Sequence, residues 1–87
     1  MKYAVVTGGT KGIGLGIVKV LLERGFHVFT NYARDKESAE RVGQELEQWK
    51  EHLSIVQADQ SDKESFTRFV QFVKSKAESI SCIVCNA

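Results

Sequence analysis

Proline is absent from all 87 residues, so no ring forces a helix to stop, and punctuation falls to glycine. Four of the seven glycines crowd into residues 8–14, and Gly25 is placed to end a helix before it. Cysteine is scarce, with only Cys82 and Cys85. In a strand, residues three apart face opposite sides roughly 10 Å from each other, which rules out a disulfide or shared metal between them. Both thiols are expected to be buried and reduced. Long apolar runs are lacking, which excludes a membrane-spanning helix, and Lys2 leads directly into a strand-like run instead of a targeting segment. A cytoplasmic protein is expected. Charge of one sign is lacking too: 12 basic and 11 acidic residues leave +1, with no basic block to follow a run of phosphates. Nucleic acid and membrane are therefore not expected as partners.

What remains is a hydrophobic fraction of 43% in a chain with room for one domain, residues 1–87. The apolar pattern alternates. "YAVVT", "FHVFTN", "LSIVQ" and "SISCIVC" are short Val/Ile/Phe runs, separated by helix-like stretches at 12–24, 35–50 and 62–78. This predicts a β-α-β-α-β-α-β chain in the α/β class, its strands forming a parallel sheet covered by helices on both faces.

The helices carry their own pattern. Ala39, Val42, Leu46 and Trp49 form one stripe of the second. In the third, Ser61 is the expected N-cap, paired with Glu64 in a capping box before Phe66, Phe69, Val70, Val73 and Ala77. Phe72 falls about 100° from that stripe, either as an edge-of-core residue or as a second contact face.

The most informative stretch is "VVTGGTKGIGLGIV", where a strand runs through Gly8, Gly9, Gly12 and Gly14 into a helix. Such spacing makes a tight turn that lets a pyrophosphate reach the first helical N–H groups and the positive end of the helix dipole. Gly14 would also let the helix lie close to the sheet. No Gly-Lys-Ser/Thr closes the motif, which disfavours a P-loop.

The string Thr7-Gly8-Gly9-Thr10-Lys11-Gly12-Ile13-Gly14 resembles the Thr-Gly-x-x-x-Gly-Ile-Gly signature of the short-chain dehydrogenases/reductases. Asp59 in "QADQSD" is similar to that family's adenine-contacting Asp, and "CNA" at 85–87 resembles its Asn-Asn-Ala-Gly motif, with Cys85 in place of the first Asn. "NYAR" resembles the β-ketoacyl carrier-protein reductases in particular. The resemblance implies a Rossmann-type sheet of order 3-2-1-4, the N-terminal part of a doubly wound fold, acting in a homo-oligomer. Its implied cofactor-binding residues are Gly8, Thr10, Lys11, Gly12, Ile13, Gly14, Asn31, Tyr32, Arg34, Asp59, Asn86 and Ala87.

NAD-binding folds place a carboxylate at the end of the second strand to hold the ribose hydroxyls. Here Asn31 stands in that place, and Lys11 with Arg34 would attract a 2′-phosphate, so NADP(H) is the expected cofactor. The alternative leaves Arg34 in solvent and gives the ribose to Asp35. Asp59 either reads adenine or serves as a turn residue. His27 and His52 are expected to be structural.

The family reduces carbonyls with a Tyr and a Lys four residues apart and a Ser. Tyr3 and Tyr32 are the two tyrosines, and neither is read as followed by Lys at that spacing, so the 87 residues alone are expected to be inactive and the carbonyl substrate to meet a C-terminal part. Two readings stand: the N-terminal segment of an NADP(H)-dependent short-chain reductase, or a non-catalytic half-Rossmann module. The fourth strand is expected to be a hydrophobic edge that, with the Phe72 side of the last helix, pairs copies of the chain.

Overall fold

Strands whose successive side chains are all apolar need cover on both faces, and the computed structural model of the chain, described for residues 2–86, meets that need with three helices. The order is β1 (Lys2–Thr7), α1 (Gly12–Glu23), β2 (Phe26–Tyr32), α2 (Lys36–Glu45), a 3-10 turn (Glu47–Trp49), β3 (Leu53–Gln57), α3 (Lys63–Lys76) and β4 (Cys82–Cys85). The four strands form one parallel sheet of order β3-β2-β1-β4, as the resemblance implies. Among the described residues no helix is long and apolar enough to cross a membrane.

β2 shows how the pattern works. Val28 points into a core with Val6, Val18, Leu22, Val42 and Leu46, under α1 and α2. Phe29, the next residue, points the other way into a core with Ala58, Phe69 and Val73, under α3. Both residues are fully buried. Complete burial of such a side chain contributes about 1.5–3 kcal/mol, so this central strand ties the two halves of the core together.

Several local expectations change. The second helix does not run to residue 50: after Glu45 the chain tightens, with Trp49 N–H donating to the Leu46 carbonyl, and this keeps Leu46 and Trp49 on the core side. The third helix is capped by Asp62, not Ser61; Asp62 accepts from the N–H groups of Glu64 and Ser65. Ser61 instead donates to Asp59. Phe72 belongs to the α3 core, edge-on to Phe29 with ring centroids 6.1 Å apart, while Val70 is the residue that faces outward. The core-facing arc is therefore centred on Phe69 and Phe72–Val73, and Phe72 takes the edge-of-core place.

The last strand is shorter than "SISCIVC". The paired register with β1 covers Cys82–Cys85, entered by Ser81 N–H donating to the Tyr3 carbonyl at 2.8 Å, while Ile80 is drawn to the α3 core. β4 is an edge as expected, with Val84 inward and Ile83 66% exposed. The same edge position leaves Cys85 exposed and Cys82 half-buried, which corrects the expectation that both thiols are buried.

At the amino ends of the strands, His27 stacks on Phe29 with ring centroids 5.3 Å apart and lies 5.8 Å from the ring of His52. Burial, and then the proximity of His52, push the His27 pKa below the usual imidazole value. A depressed folded-state pKa means the neutral ring is favoured: its contribution is complete above the unfolded value near 6.5 and is lost as pH falls through the range below it. Urea midpoints at pH 7.5 and 5 should therefore fall more for the wild type than for His27→Phe. Equal losses would show that His27 does not set the acid limb.

Candidate functional site

At the opposite end of the sheet, where all four strands present their carboxyl ends, lies a groove of about 650 Å³. β1 delivers the glycine turn. The positive φ of Gly12, +61°, is a backbone conformation that a side chain would strain, and it directs the chain from the turn into α1. Lys11 precedes α1 in extended conformation, and no side chain caps the helix.

That absence stands out against the other two helices. Asp35 caps α2 and Asp62 caps α3, each with a carboxylate on the first N–H groups. α1 has neither a capping side chain nor an acid in its first turn, and its N-terminal residues Gly12 and Ile13 line the groove. The unpaired N–H groups and the positive helix end therefore face open space that an anion would fill.

A polar frame holds the turn in place. Asn31, 1% exposed, accepts from Gly8 N–H at 3.0 Å through Oδ1 and donates from Nδ2 to the Ala58 carbonyl at 2.8 Å. Thr30 accepts from Gly9 N–H at 2.9 Å and donates to the Val6 carbonyl. On the β4 side, Asn86 N–H donates to Thr7 Oγ1 at 2.9 Å, and Asn86 Nδ2 to the Gly8 carbonyl at 3.2 Å. The ends of β2 and β4 thus brace one glycine turn.

Of the residues singled out from the sequence, Gly8, Thr10, Lys11, Gly12 and Ile13 line the groove from the turn. Asn31, Tyr32 and Arg34 line it from the end of β2, and Asn86 from β4. Gly14 lies beneath the lining, packed on the Gly8 carbonyl and Asn86 more than on the sheet at large. Asn31 differs from the expectation in its work: both ends of its amide are committed to the backbone. Asp59 does not line the groove; its Oδ1 accepts from the hydroxyl and N–H of Ser61, which with a smaller effect of Arg34 hold its carboxyl below the usual range. This is the geometry of a turn residue. Ala87 lies outside the described residues.

Sequence reasoning did not assign Gln60 or Thr30 to the site. Gln60 lines the groove from the β3 end. Thr30 carried a readable signal, a hydroxyl inside an otherwise apolar buried run, next to Asn31. Another reading needs correction: Tyr32 and Lys36 do stand four residues apart. On a helix that spacing would stack them on one face, but here Tyr32 ends β2 and Lys36 opens α2. Lys36 Nζ pairs with Glu40 at 3.9 Å and is not part of the groove lining, so the spacing assembles no acid–base pair.

Among the described residues that line the groove, Asp35 is the one acid. Its carboxyl is held at about 2 by the N–H of Ser38, then the Ser38 hydroxyl, then Lys11, whose Nζ is 3.3 Å from Oδ2.

A parallel sheet of this order, with a glycine turn after its first strand and a groove across the carboxyl ends, defines the Rossmann-type class of α/β folds. The chain belongs to the short-chain dehydrogenase family, whose profile matches residues 2–87. It is 38% identical over 86 residues to the short-chain dehydrogenase/reductase FrzI of Cladobotryum sp, covering 99% of this chain and 33% of that protein. To the 3-oxoacyl-acyl-carrier-protein reductase FabG of Staphylococcus aureus it is 36% identical, covering 99% of this chain and 35% of the relative. The crystal structure of a blue fluorescent protein from a metagenomic library in complex with NADPH superposes with a TM-score of 0.86 at 32% identity, over 99% of this chain and 36% of that one. The chain thus spans about a third of the length of the relatives it matches.

Proposed function

We propose that the chain forms the part of a short-chain reductase that holds the adenosine and pyrophosphate of a nicotinamide dinucleotide, with NADP(H) preferred. The observation that carries this reading is the uncapped N-terminus of α1 opening into the groove, in a protein that caps its other two helices with aspartate. A pyrophosphate supplies the missing acceptors. When bound, the dinucleotide supplies the hydride; this chain's own residues bind and orient its adenosine half.

Preference for the 2′-phosphate rests on three features. The end of β2 carries Asn31, an internal brace, where a ribose-binding carboxylate would stand. Lys11 and Arg34 are the two cations of the groove lining. Asp35, the alternative ribose acceptor, already receives three donors from Ser38 and Lys11. The NADPH complex of the blue fluorescent protein is consistent with this choice.

The whole enzyme would move hydride between NADPH and a carbonyl or alcohol, and the FabG relatives favour a β-ketoacyl thioester. Tyr32 and Lys36 stand on different elements and Lys36 pairs with Glu40, so among the described residues they assemble no proton relay, and the chain should be inactive by itself.

Arg34→Ala tests the cofactor assignment. It should weaken NADPH binding by about tenfold, the scale of one charge-assisted phosphate contact, and leave NADH within about twofold. Calorimetric titrations of both nucleotides would check it; equal losses contradict the role of Arg34.

A further inference from the structure

We propose that His27 and His52 form a binding site for a divalent transition-metal ion of the zinc class, held by the two imidazoles between β2 and the residue that leads into β3. The site lies at the amino ends of the strands, away from the glycine turn, and does not depend on the dinucleotide reading of the groove.

Strand register brings the two rings together. Val28 pairs with Leu53, so His52 stands level with His27 one place earlier, and Val28 N–H donates to the His52 carbonyl at 2.7 Å. Side chains alternate along a strand, so His27 and Phe29 share the face opposite Val28. There the ring centroids of His27 and His52 are 5.8 Å apart. An ion lying in the plane of both rings, about 2.0–2.1 Å from one nitrogen of each, sets the centroids about 5–6 Å apart, so the observed spacing is one at which two imidazoles can share an ion. His27 is held in place by stacking on Phe29 at 5.3 Å and by Tyr3 at 5.6 Å; it is half-buried, and His52 is exposed, so an ion can reach both. α3 leaves this corner of the sheet open. Phe72 covers Phe29, and the helix ends at Lys76 beside a hollow of about 510 Å³ lined by Tyr3, His27, Glu51, His52, Ser54 and Lys76. The charges of Glu51 and Lys76 cancel within that lining, so no net positive field opposes a dication beside neutral imidazoles. Glu51 and Ser54 bring oxygen acceptors to the same hollow, the kind of group that takes the second N–H of a ligating ring. Among the described residues no set of three His, Cys, Asp or Glu is placed to hold a metal, so water fills the remaining positions around the ion. The ligand type chooses the ion: imidazole suits Zn²⁺, Ni²⁺ and Cu²⁺, whereas Mg²⁺ and Ca²⁺ take oxygen.

The test is a calorimetric titration of the chain with Zn²⁺ and with Mg²⁺, alongside NMR of the imidazole ring protons. One equivalent of Zn²⁺ should bind and shift the ring signals of both histidines together, with no response to Mg²⁺. His52→Gln changes an exposed side chain and should keep the fold while weakening Zn²⁺ at least tenfold, since loss of an outer-shell partner alone costs about 10–100-fold. His27→Gln should do the same, and the double variant should lose little more, because either histidine alone leaves a single ligand. Zn²⁺ should also raise the urea midpoint of the wild type in step with its concentration and leave that of His52→Gln unchanged. No Zn²⁺ binding at millimolar concentration, unchanged affinity in His52→Gln, or an equal response to Mg²⁺ overturns the proposal. So does binding of two equivalents of which each single variant loses one, the mark of two independent surface histidines.

Discussion

Gly14→Ala should strip the chain of dinucleotide affinity, by about 30-fold or more, and lower its stability by about 1–3 kcal/mol, the range for forcing one extra carbon into a packed site. A β-carbon at residue 14 would press on the Gly8 carbonyl oxygen and come within 2.7 Å of Asn86 Nδ2. The first of these is backbone and cannot rotate away, so α1 must move off the turn. That movement breaks the Asn86–Gly8 hydrogen bond and shifts the N–H groups that would receive the pyrophosphate. In a domain of this size such a loss corresponds to a fall in Tm of about 5–20 °C. Gly16→Ala is the internal control: nothing lies within 4 Å of its added carbon, and alanine favours a helix over glycine by about 1 kcal/mol. Retained affinity in Gly14→Ala, measured by calorimetry, would mean that the approach of α1 to the turn is not what makes the site.

The second large effect is expected at Asn31. Asn31→Leu keeps the volume but leaves Gly8 N–H and the Ala58 carbonyl without their partners in the interior, at a cost of about 2–5 kcal/mol for the two groups together. For a domain whose total stability is on the order of 5–15 kcal/mol, that approaches unfolding. Asn31→Asp separates brace from bulk. A carboxylate there can accept from Gly8 but faces the Ala58 oxygen, and burial raises its pKa, so this variant should gain stability as pH falls and the acid becomes a donor. Urea denaturation at pH 5 and 8 measures both. A leucine variant within about 0.5 kcal/mol of wild type would remove Asn31 from the frame.

The parallel sheet, the helix number and the glycine turn were legible because they rest on repeated signals: unbroken apolar strands, helical stripes and four glycines in seven positions; the strand order came only with the family resemblance. The errors cluster where a single residue decides between near-equal choices. Ser61 and Asp62 are both good caps, and only the Asp59 turn, which takes the Ser61 hydroxyl, leaves Asp62 for the helix. Phe72, which the helical wheel left between two places, takes the edge-of-core one, half-buried against Phe29, while Val70 of the expected stripe turns outward. Asn31 was legible as a missing acid but not as a brace, because its partners are the residue after β1 and the residue after β3, far away in sequence. The Tyr32/Lys36 spacing carries the opposite lesson: a separation of four places side chains together only on a helix.

The most direct measurement is an amide NMR titration of the chain with NADPH. The account predicts that shifts concentrate at Gly8, Thr10–Gly14, Ala33–Asp35 and Asn86, with Tyr3, His27 and His52 at the other end of the strands unmoved. Perturbation centred on His27 and His52, or none at millimolar NADPH, would contradict a dinucleotide site at the glycine turn.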